Sequence, residues 1–246
     1  MKINKDLNIS KRELEELKIV SNNFKSDYEK VLNGYPIQYL IGYVNFYGYK
    51  INVNNNVLIP RFETELLVEK IIKYIKKVFN NTNLNILDIG TGSGCIGIAL
   101  NKEINSNITA CDISDKALKV AKSNAKLNNC NIDFIKSDLF ENINGKFDVI
   151  ISNPPYISET EKIMDMVDKY EPHEALYASN NGLYFYEEIL KNARNYLNDK
   201  FIIAFEIGWW QGELIKSIAK DYFKESKITI EKDYTDRDRY VFIINE

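Results

Sequence analysis

Residues 84–97, with the sequence Leu-Asn-Ile-Leu-Asp-Ile-Gly-Thr-Gly-Ser-Gly-Cys-Ile-Gly, decide the fold of this chain. The apolar residues 84–89 predict a β-strand, the glycines that follow predict a tight loop, and residues 95–102 predict a helix. Glycines let the backbone turn sharply and let a ligand approach the peptide planes. The first turn of the helix adds unpaired N–H groups. This order therefore predicts a ligand-binding loop at the carboxyl end of a strand.

Strand and helix signals alternate from residue 83 to the C-terminus. The predicted strands are residues 84–89, 108–111, 132–135, 147–152, 201–207, 228–231 and 240–244, and the predicted helices are residues 95–102, 115–127, 183–197 and 211–223. Residues 157–181 are predicted to form a loop. Residues 232–239 are too few for a helical crossover, so the last two strands should pair antiparallel. The pattern predicts an α/β fold with a doubly wound, seven-stranded mixed sheet.

The chain divides into three predicted regions. Residues 1–33 are polar and charged with a few apolar positions, which predicts a short N-terminal helical region. Residues 34–62 begin with Gly-Tyr-Pro, as a linker would, and continue into a stretch rich in Tyr and Ile that predicts a β-hairpin. Residues 63–246 form the predicted main domain, which opens with an apolar stripe at helical spacing.

Composition limits the classes of function. The chain has 246 residues, of which 45% are hydrophobic and 27% charged, as expected for one globular domain with a small appendage. Its net charge of −3 gives no sign of the basic face of a nucleic-acid binder. Cys95, Cys111 and Cys130 lack metal-ligand spacing and predict reduced thiols. No apolar run is long enough to span a membrane or to serve as a signal peptide, so we expect a cytoplasmic protein with no membrane partner. We also expect a monomer with no metal and no direct nucleic-acid partner.

Two cofactor classes fit the glycine loop. Gly92-x-Gly94-x-x-Gly97 matches the dinucleotide fingerprint, so the spacing alone leaves NAD and S-adenosylmethionine open. Asp88 favours S-adenosylmethionine, because a carboxylate there can lie near a cationic methionine end and would repel a pyrophosphate. The predicted cofactor-binding residues of the loop are Asp88, Gly90, Thr91, Gly92, Ser93 and Gly94.

Residues after the next strands complete the predicted cofactor site. Asp112 ends the second strand and is expected to bind both ribose hydroxyls. Asp138 follows the third strand and can accept a hydrogen bond from the adenine amine, while Leu139 or Phe140 can cover the adenine ring. Asn153, after the fourth strand, is expected to border the cofactor as well.

The fourth predicted strand leads into Asn153-Pro154-Pro155-Tyr156. Asn153 carries a carbonyl acceptor, and the prolines have no N–H, so the local backbone presents carbonyls only. With the ring of Tyr156, these groups describe a clamp for a planar –NH2, either a carboxamide or an exocyclic base amine. Accepting both N–H bonds would aim the nitrogen lone pair at a methyl carbon. We expect Asn153, Pro154 and Tyr156 to be catalytic, and all four residues to bind the substrate.

Further segments carry a family resemblance. They are residues 36–42 (Pro-Ile-Gln-Tyr-Leu-Ile-Gly), 46–48 (Phe-Tyr-Gly), 57–65 (Val-Leu-Ile-Pro-Arg-Phe-Glu-Thr-Glu), the glycine loop, 153–157, 170–172 (Tyr-Glu-Pro), 206–208 (Glu-Ile-Gly), 211–212 (Gln-Gly), 232–233 (Lys-Asp) and 237–239 (Arg-Asp-Arg). From residue 34 onward the chain resembles the bacterial peptide chain release factor N5-glutamine methyltransferases, the PrmC or HemK group. The resemblance implies a Rossmann-like class I fold that uses S-adenosylmethionine. It also implies methylation of the glutamine side-chain amide in the Gly-Gly-Gln motif of class 1 release factors, which modulates translation termination.

The resemblance also assigns roles to residues. It implies that residues 90–94, Asp112 and the segment 138–139 bind S-adenosylmethionine and that residues 153–156 hold the glutamine. The family usually has a longer helical N-terminal domain, a proline in place of Phe62 and an acidic residue in place of Asn181.

Three other functions stay open on the sequence. An adenine-amine DNA methyltransferase can use the same tetrapeptide on a flipped base, but it would need a target-recognition region and a basic surface. A non-catalytic protein could bind release factor without turnover, although the intact clamp counts against it. An NAD-dependent oxidoreductase is supported by the glycine loop alone.

Overall fold

The structure, a computed structural model, describes residues 9–79 and 83–246, which form the following strands and helices. The strands are β1 Tyr43–Phe46, β2 Tyr49–Asn52, β3 Leu84–Ile89, β4 Ser106–Asp112, β5 Ile132–Lys136, β6 Phe147–Ser152, β7 Ile157–Ser158, β8 Tyr177–Ala178, β9 Leu197–Glu206, β10 Lys227–Lys232 and β11 Asp238–Asn245. The helices are α1 Lys11–Val20, α2 Phe24–Leu32, α3 Ile37–Ile41, α4 Phe62–Phe79, α5 Cys95–Glu103, α6 Asp115–Leu127, α7 Asp165–Tyr170, α8 Ser179–Gly182, α9 Tyr184–Ala193 and α10 Gly212–Tyr222. Within these residues, none of the helices has the length and apolar character needed to cross a bilayer.

The main sheet has the strand order β10-β11-β9-β6-β3-β4-β5. Strand β11 pairs antiparallel with both β10 and β9, which confirms the predicted pairing of the last two strands. The other neighbours pair in parallel, so the predicted seven-stranded mixed sheet is confirmed. The chain winds outward from β3 to β4 and β5, and then places β6 on the other side of β3. Ligands of open α/β sheets bind where the strand order reverses in this way.

Both faces of the sheet are covered, so its central strands are apolar on both sides. Helices α4, α5 and α6 and the β1-β2 hairpin cover one face, where Ile86 of β3 is buried. Helices α9 and α10 cover the other face, where Leu87 is buried. Alternate residues of β3 thus enter two separate cores, which fixes the register of the strand. In that register Ile89 lies beside Ser152, so β3 and β6 end at the same level.

The N-terminal region forms three short helices around a small apolar cluster of Leu17, Val31, Ile37 and Ile41. Within the predicted N-terminal region, α1 and α2 cover most of residues 11–32, whereas residues 1–8 lie outside the described part of the chain. Helix α3 lies within the region predicted as linker and hairpin. The sequence does not reveal this helix, because one and a half turns are too short to show a helical period. Strands β1 and β2 pair as a hairpin, with positive φ at Tyr47 and Gly48, as a type I′ turn requires.

Two other predictions are wrong in detail. The helix predicted at residues 183–197 ends at Ala193, and Leu197 begins β9 opposite Phe147 of β6. Leu197 keeps the helical spacing of apolar residues, yet it enters the core from a strand. The loop predicted at residues 157–181 contains the short pair β7-β8 and helix α7. Elements this short leave no period in the sequence.

Candidate active site

A cavity of about 530 Å³ opens at the carboxyl ends of β3, β4, β5 and β6. Its wall includes residues 89–93 after β3, residues 111–114 after β4, residues 137–139 after β5 and residues 152–155 after β6. Parallel strands end at one edge of the sheet, so the topology gathers predicted residues from four strands at one place. This cavity is therefore the candidate active site.

The glycine loop exposes its backbone to the cavity. Gly90 and Gly92 have φ of 70° and 54°, and a Cβ atom added at either would meet nothing within 4 Å. A ligand can therefore approach their peptide planes directly. Gly94 differs, because a Cβ atom there would lie 3.1 Å from the Cβ of Ala121 in α6. Gly94 thus permits close packing behind the loop, and among the predicted loop residues Gly90, Thr91, Gly92 and Ser93 line the cavity.

Asp88 lies behind the loop and is fully buried. Its Oδ2 accepts a hydrogen bond from Thr91 Oγ1 at 2.6 Å, while its Oδ1 has no hydrogen-bond partner among the residues that the structure describes. Burial raises the pKa of Asp88 to about 7. The structure therefore shows Asp88 holding the loop from below, not lining the cavity. A direct approach of its carboxylate to a methionine end stays a prediction.

Asp112 lies in the cavity wall at the end of β4. Its Oδ2 accepts from the Gly92 N–H at 2.8 Å, and its Oδ1 accepts from the Ser114 N–H at 2.9 Å. Burial raises its pKa, while these two backbone donors lower it. Each carboxylate oxygen has a second acceptor site, so the side chain is fixed in position and can still accept from a diol. The ribose role stays a prediction with this support.

The segment after β5 contributes Asp138 and Leu139 to the cavity wall. Leu139 has a φ of 46°, a left-handed conformation that is uncommon for a leucine and is typical of functional sites. Phe140 does not line the cavity; it is buried and stacks on Tyr196 with ring centroids 4.5 Å apart. Of the two residues considered as covers for an adenine ring, only Leu139 lines the cavity, and its contact with adenine stays a prediction.

Asn153, Pro154 and Pro155 line the cavity directly after β6. Strand β6 is tied to β3 near this point, because Ser152 Oγ donates to the carbonyl of Ile89 at 2.7 Å. The Asn153 amide donates from Nδ2 to Thr64 Oγ1 at 3.2 Å. The structure thus places the predicted acceptor groups beside the glycine loop.

Tyr156 is the one member of the clamp that does not line the cavity. Its ring packs against the core beneath α9 and α10, and burial raises its pKa to about 12. Its carbonyl accepts from Gln211 Nε2 at 3.1 Å. Among the described residues, the aromatic ones in the cavity wall are Tyr177 and Phe185, which the sequence reading missed. The predicted packing of Tyr156 on a substrate amide stays a prediction.

Two segments from opposite parts of the chain close the cavity on its outer side. The first comprises residues 55–58 and Pro60 before α4, and the second comprises Pro172, Glu174, Ala175 and Tyr177 after α7. Glu171 joins them, since its carboxylate pairs with Arg61 and accepts from the Ile59 N–H at 3.0 Å. Both segments lie in or beside the motifs quoted above, at 57–65 and 170–172, which was the available signal for their role.

The charged side chains of the cavity are mostly acidic. Among the described residues, the charged ones in its wall are Asp112, Lys116, Asp138 and Glu174. Three carboxylates against one ammonium group would repel a pyrophosphate and attract a cation. The cavity therefore fits a cationic ligand without phosphate groups.

Comparisons with known proteins decide the family. Residues 62–171 match the model of the Methyltransferase small domain. The release factor glutamine methyltransferase of Lactococcus lactis is 43% identical over 211 residues, which cover 85% of this chain and 77% of that protein. The protein of the same name from Flavobacterium psychrophilum is 45% identical over 84% of this chain and 74% of its own length. The chain belongs to the release factor glutamine methyltransferase family.

Solved methyltransferase structures share the fold of this family member. A methyltransferase from Pyrococcus furiosus aligns with a TM-score of 0.59 and 20% identity, over 80% of this chain and 89% of that one. The Thermus thermophilus 16S rRNA N2 G1207 methyltransferase, solved with AdoMet and guanosine, aligns with a TM-score of 0.60 and 13% identity, over 83% of this chain and 50% of its own. At these identities the likeness establishes the fold alone. The predicted Rossmann-like methyltransferase fold is thereby confirmed.

Proposed function

We propose that this methyltransferase transfers a methyl group from S-adenosylmethionine to the side-chain amide nitrogen of the glutamine in the Gly-Gly-Gln motif of class 1 release factors, and so modulates translation termination. The observation that carries the proposal is the Asn153 amide, fixed in the cavity wall next to the glycine loop. The names of the relatives from Lactococcus lactis and Flavobacterium psychrophilum support the choice of substrate.

A carboxamide nitrogen is a poor nucleophile, because its lone pair is delocalised into the carbonyl. The clamp counters this with two acceptors, the Asn153 Oδ1 and the Pro154 carbonyl, one for each N–H bond of the substrate. They orient the nitrogen and stabilise the positive charge that develops on it as it gains a methyl group. The methylated nitrogen then loses one of its protons to solvent and returns to a neutral amide.

Bound S-adenosylmethionine would supply an electrophilic methyl carbon on a sulfonium, whose sulfur keeps the electron pair of the broken bond. The backbone of Gly90 and Gly92, the carboxylate of Asp112 and the segment 138–139 are the groups that would hold it. The acidic cavity wall suits its positive charge, whereas the pyrophosphate of NAD would be repelled. Tyr177 and Phe185 add aromatic surface to the wall of the same cavity.

The experiment that tests the proposal is methyl transfer to a purified class 1 release factor. The full chain is incubated with labelled S-adenosylmethionine and release factor, and the peptide with the Gly-Gly-Gln motif is analysed by mass spectrometry. We expect one added methyl group on the glutamine, and none when that glutamine is replaced by alanine. Binding of NAD in place of S-adenosylmethionine, or binding without methyl transfer, would contradict the proposal.

A parallel arm of the experiment addresses the DNA methyltransferase, which could use the same clamp on a flipped adenine. Duplex DNA replaces the release factor, and binding is titrated at several salt concentrations. Label on adenine together with strongly salt-dependent binding would replace the proposed substrate with DNA.

A further inference from the structure

Two consecutive hydrogen bonds that start at the cavity wall link Asn153, Thr64 and Glu206. Asn153 Nδ2 donates to Thr64 Oγ1 at 3.2 Å, and Thr64 donates its hydroxyl hydrogen to Glu206 Oε2 at 2.7 Å. Thr64 lies in the first turn of α4 and is 3% exposed, while Glu206 ends β9 and is 2% exposed. The proposed reaction uses only Asn153 of these three. Two buried polar side chains are therefore left without a stated role: Thr64, which lines the cavity beside Asn153, and Glu206, which lies behind Thr64.

The number of hydrogens on each group fixes which group donates in each of these two hydrogen bonds. A threonine hydroxyl has one hydrogen, and a carboxylate has none. If the hydrogen of Thr64 goes to Glu206, its oxygen can only accept from Asn153. The –NH2 end of the Asn153 amide must then face Thr64, and Oδ1 is the end left for the substrate. In the opposite orientation, an –NH2 group of the enzyme would face the –NH2 group of the substrate.

We infer that Thr64 and Glu206 are positioning residues that set which end of the Asn153 amide meets the substrate, and that they do so only while Glu206 is ionised. The inference rests on the proposed function, because only an –NH2 substrate needs Oδ1 in the cavity. A protonated Glu206 could donate to Thr64, and the hydroxyl hydrogen of Thr64 would then turn to Asn153. The amide would flip and present the wrong end.

Both protonation states of Glu206 are accessible near neutral pH. Burial raises the pKa of Glu206 to about 7, although its bond with Thr64 and the charge of Arg239 act in the opposite direction. The ionisable groups around it come from every neighbouring element and are Arg61, Glu63, Cys95, Tyr156, Tyr186, Arg239 and Tyr240. The proposed switch is thus the protonation of the buried Glu206 carboxyl group, which changes the hydrogen bonds of Thr64 and Asn153.

The first test compares two substitutions of Thr64. Thr64→Val removes the hydroxyl at nearly constant volume, and Thr64→Ser keeps it. For Thr64→Val we expect kcat for release factor methylation to fall by about 10- to 100-fold, as for other losses of alignment, while the Kd for S-adenosylhomocysteine stays unchanged. Thr64→Ser should recover most of the rate. Thr109→Val, at a half-buried position of β4, is the matched control and should behave as wild type.

The second test is the pH profile of kcat. The wild type should lose activity as the pH falls through about 7, and Glu206→Gln, which cannot titrate, should lack this limb. Thr64→Val should lack it as well, since it cuts the link to Asn153, whereas Thr64→Ser should retain it. A side chain with a packing role alone would lower activity without changing the profile.

The outcomes separate this inference from the proposed function. A wild type that methylates release factor, together with a Thr64→Val variant of equal kcat and unchanged pH profile, overturns the inference and leaves the function intact. A wild type without methylation overturns the function, and the inference is then decided by NMR. The side-chain amide signals of Asn153, identified by their loss in Asn153→Ala, should titrate near pH 7 in the wild type and not in Thr64→Val. Signals that do not respond to pH in the wild type overturn the inference.

Discussion

A Cβ atom added at Gly182 would lie 2.1 Å from the carbonyl oxygen of Tyr156. Gly182 has a φ of 79°, and the same carbonyl accepts a hydrogen bond from Gln211 Nε2 at 3.1 Å. The backbone of the clamp therefore rests against a turn that has no room for a side chain. A residue far from the reacting groups in sequence thus controls where they lie.

Gly182→Ala should impair both stability and catalysis. The added methyl group must displace the backbone of Tyr156, and overpacking of this kind costs about 1–3 kcal/mol in the free energy of unfolding. We also expect kcat to fall by at least about 10-fold, because the clamp moves with that backbone. Gly34→Ala is the matched control, with a φ of 85° and nothing within 4 Å of its Cβ position. Equal effects of the two variants in urea denaturation and methylation assays would contradict the steric argument.

Asn153→Ala should separate turnover from cofactor binding. The variant removes the Oδ1 acceptor and leaves the glycine loop in place, so S-adenosylmethionine affinity should be largely intact while turnover falls by about 10²-fold or more. Calorimetry and a methylation assay measure the two quantities. Asn198→Ala is the control, because Asn198 binds Asp148 at the opposite end of β6. Near-normal turnover of Asn153→Ala would rule out the clamp.

Asp112→Ala should weaken the binding of S-adenosylmethionine. It removes the proposed partner of the ribose and the acceptor of the Gly92 and Ser114 N–H groups. Since a hydrogen bond to a charged group contributes about 1.5–3 kcal/mol, the Kd should rise by about 10- to 100-fold. Asp115→Ala serves as control, because Asp115 is exposed and pairs with Lys136. Unchanged affinity of Asp112→Ala in calorimetry would end the ribose assignment.

The sheet could be predicted because its signals are local. Each strand is an apolar run that ends at polar or glycine residues, and residues 232–239 are visibly too short for a helix. The positions of Asp112, Asp138 and Asn153 follow from the same pattern, since each comes at or just after the end of a strand. Patterns of neighbouring residues in the sequence were therefore enough to predict that these side chains lie at one edge of the sheet.

What the sequence did not predict depends on contacts between distant segments. Thr64 lies 89 residues from Asn153 and 142 residues from Glu206, and no periodicity connects them. The placement of Tyr156 away from the cavity depends likewise on Gln211, 55 residues later. These contacts arise from tertiary packing. The motifs in the sequence therefore marked these residues as candidates for the site, but they could not show which residues each one contacts.

The buried carboxyl group of Asp88 should make stability depend on pH in a defined direction. Burial raises the pKa of Asp88 from its ordinary value of 3.8 to about 7. The folded state thus binds this proton more tightly than the unfolded state, so the contribution of the group to the free energy of unfolding is complete below pH 3.8 and is lost as the pH rises through about 7. Asp88→Asn cannot titrate. Relative to wild type, its free energy of unfolding in urea should therefore improve steadily as the pH rises from about 4 to about 7.5. A difference between the two proteins that stays constant over this range would show that the carboxyl group of Asp88 ionises as readily in the folded protein as in the unfolded chain.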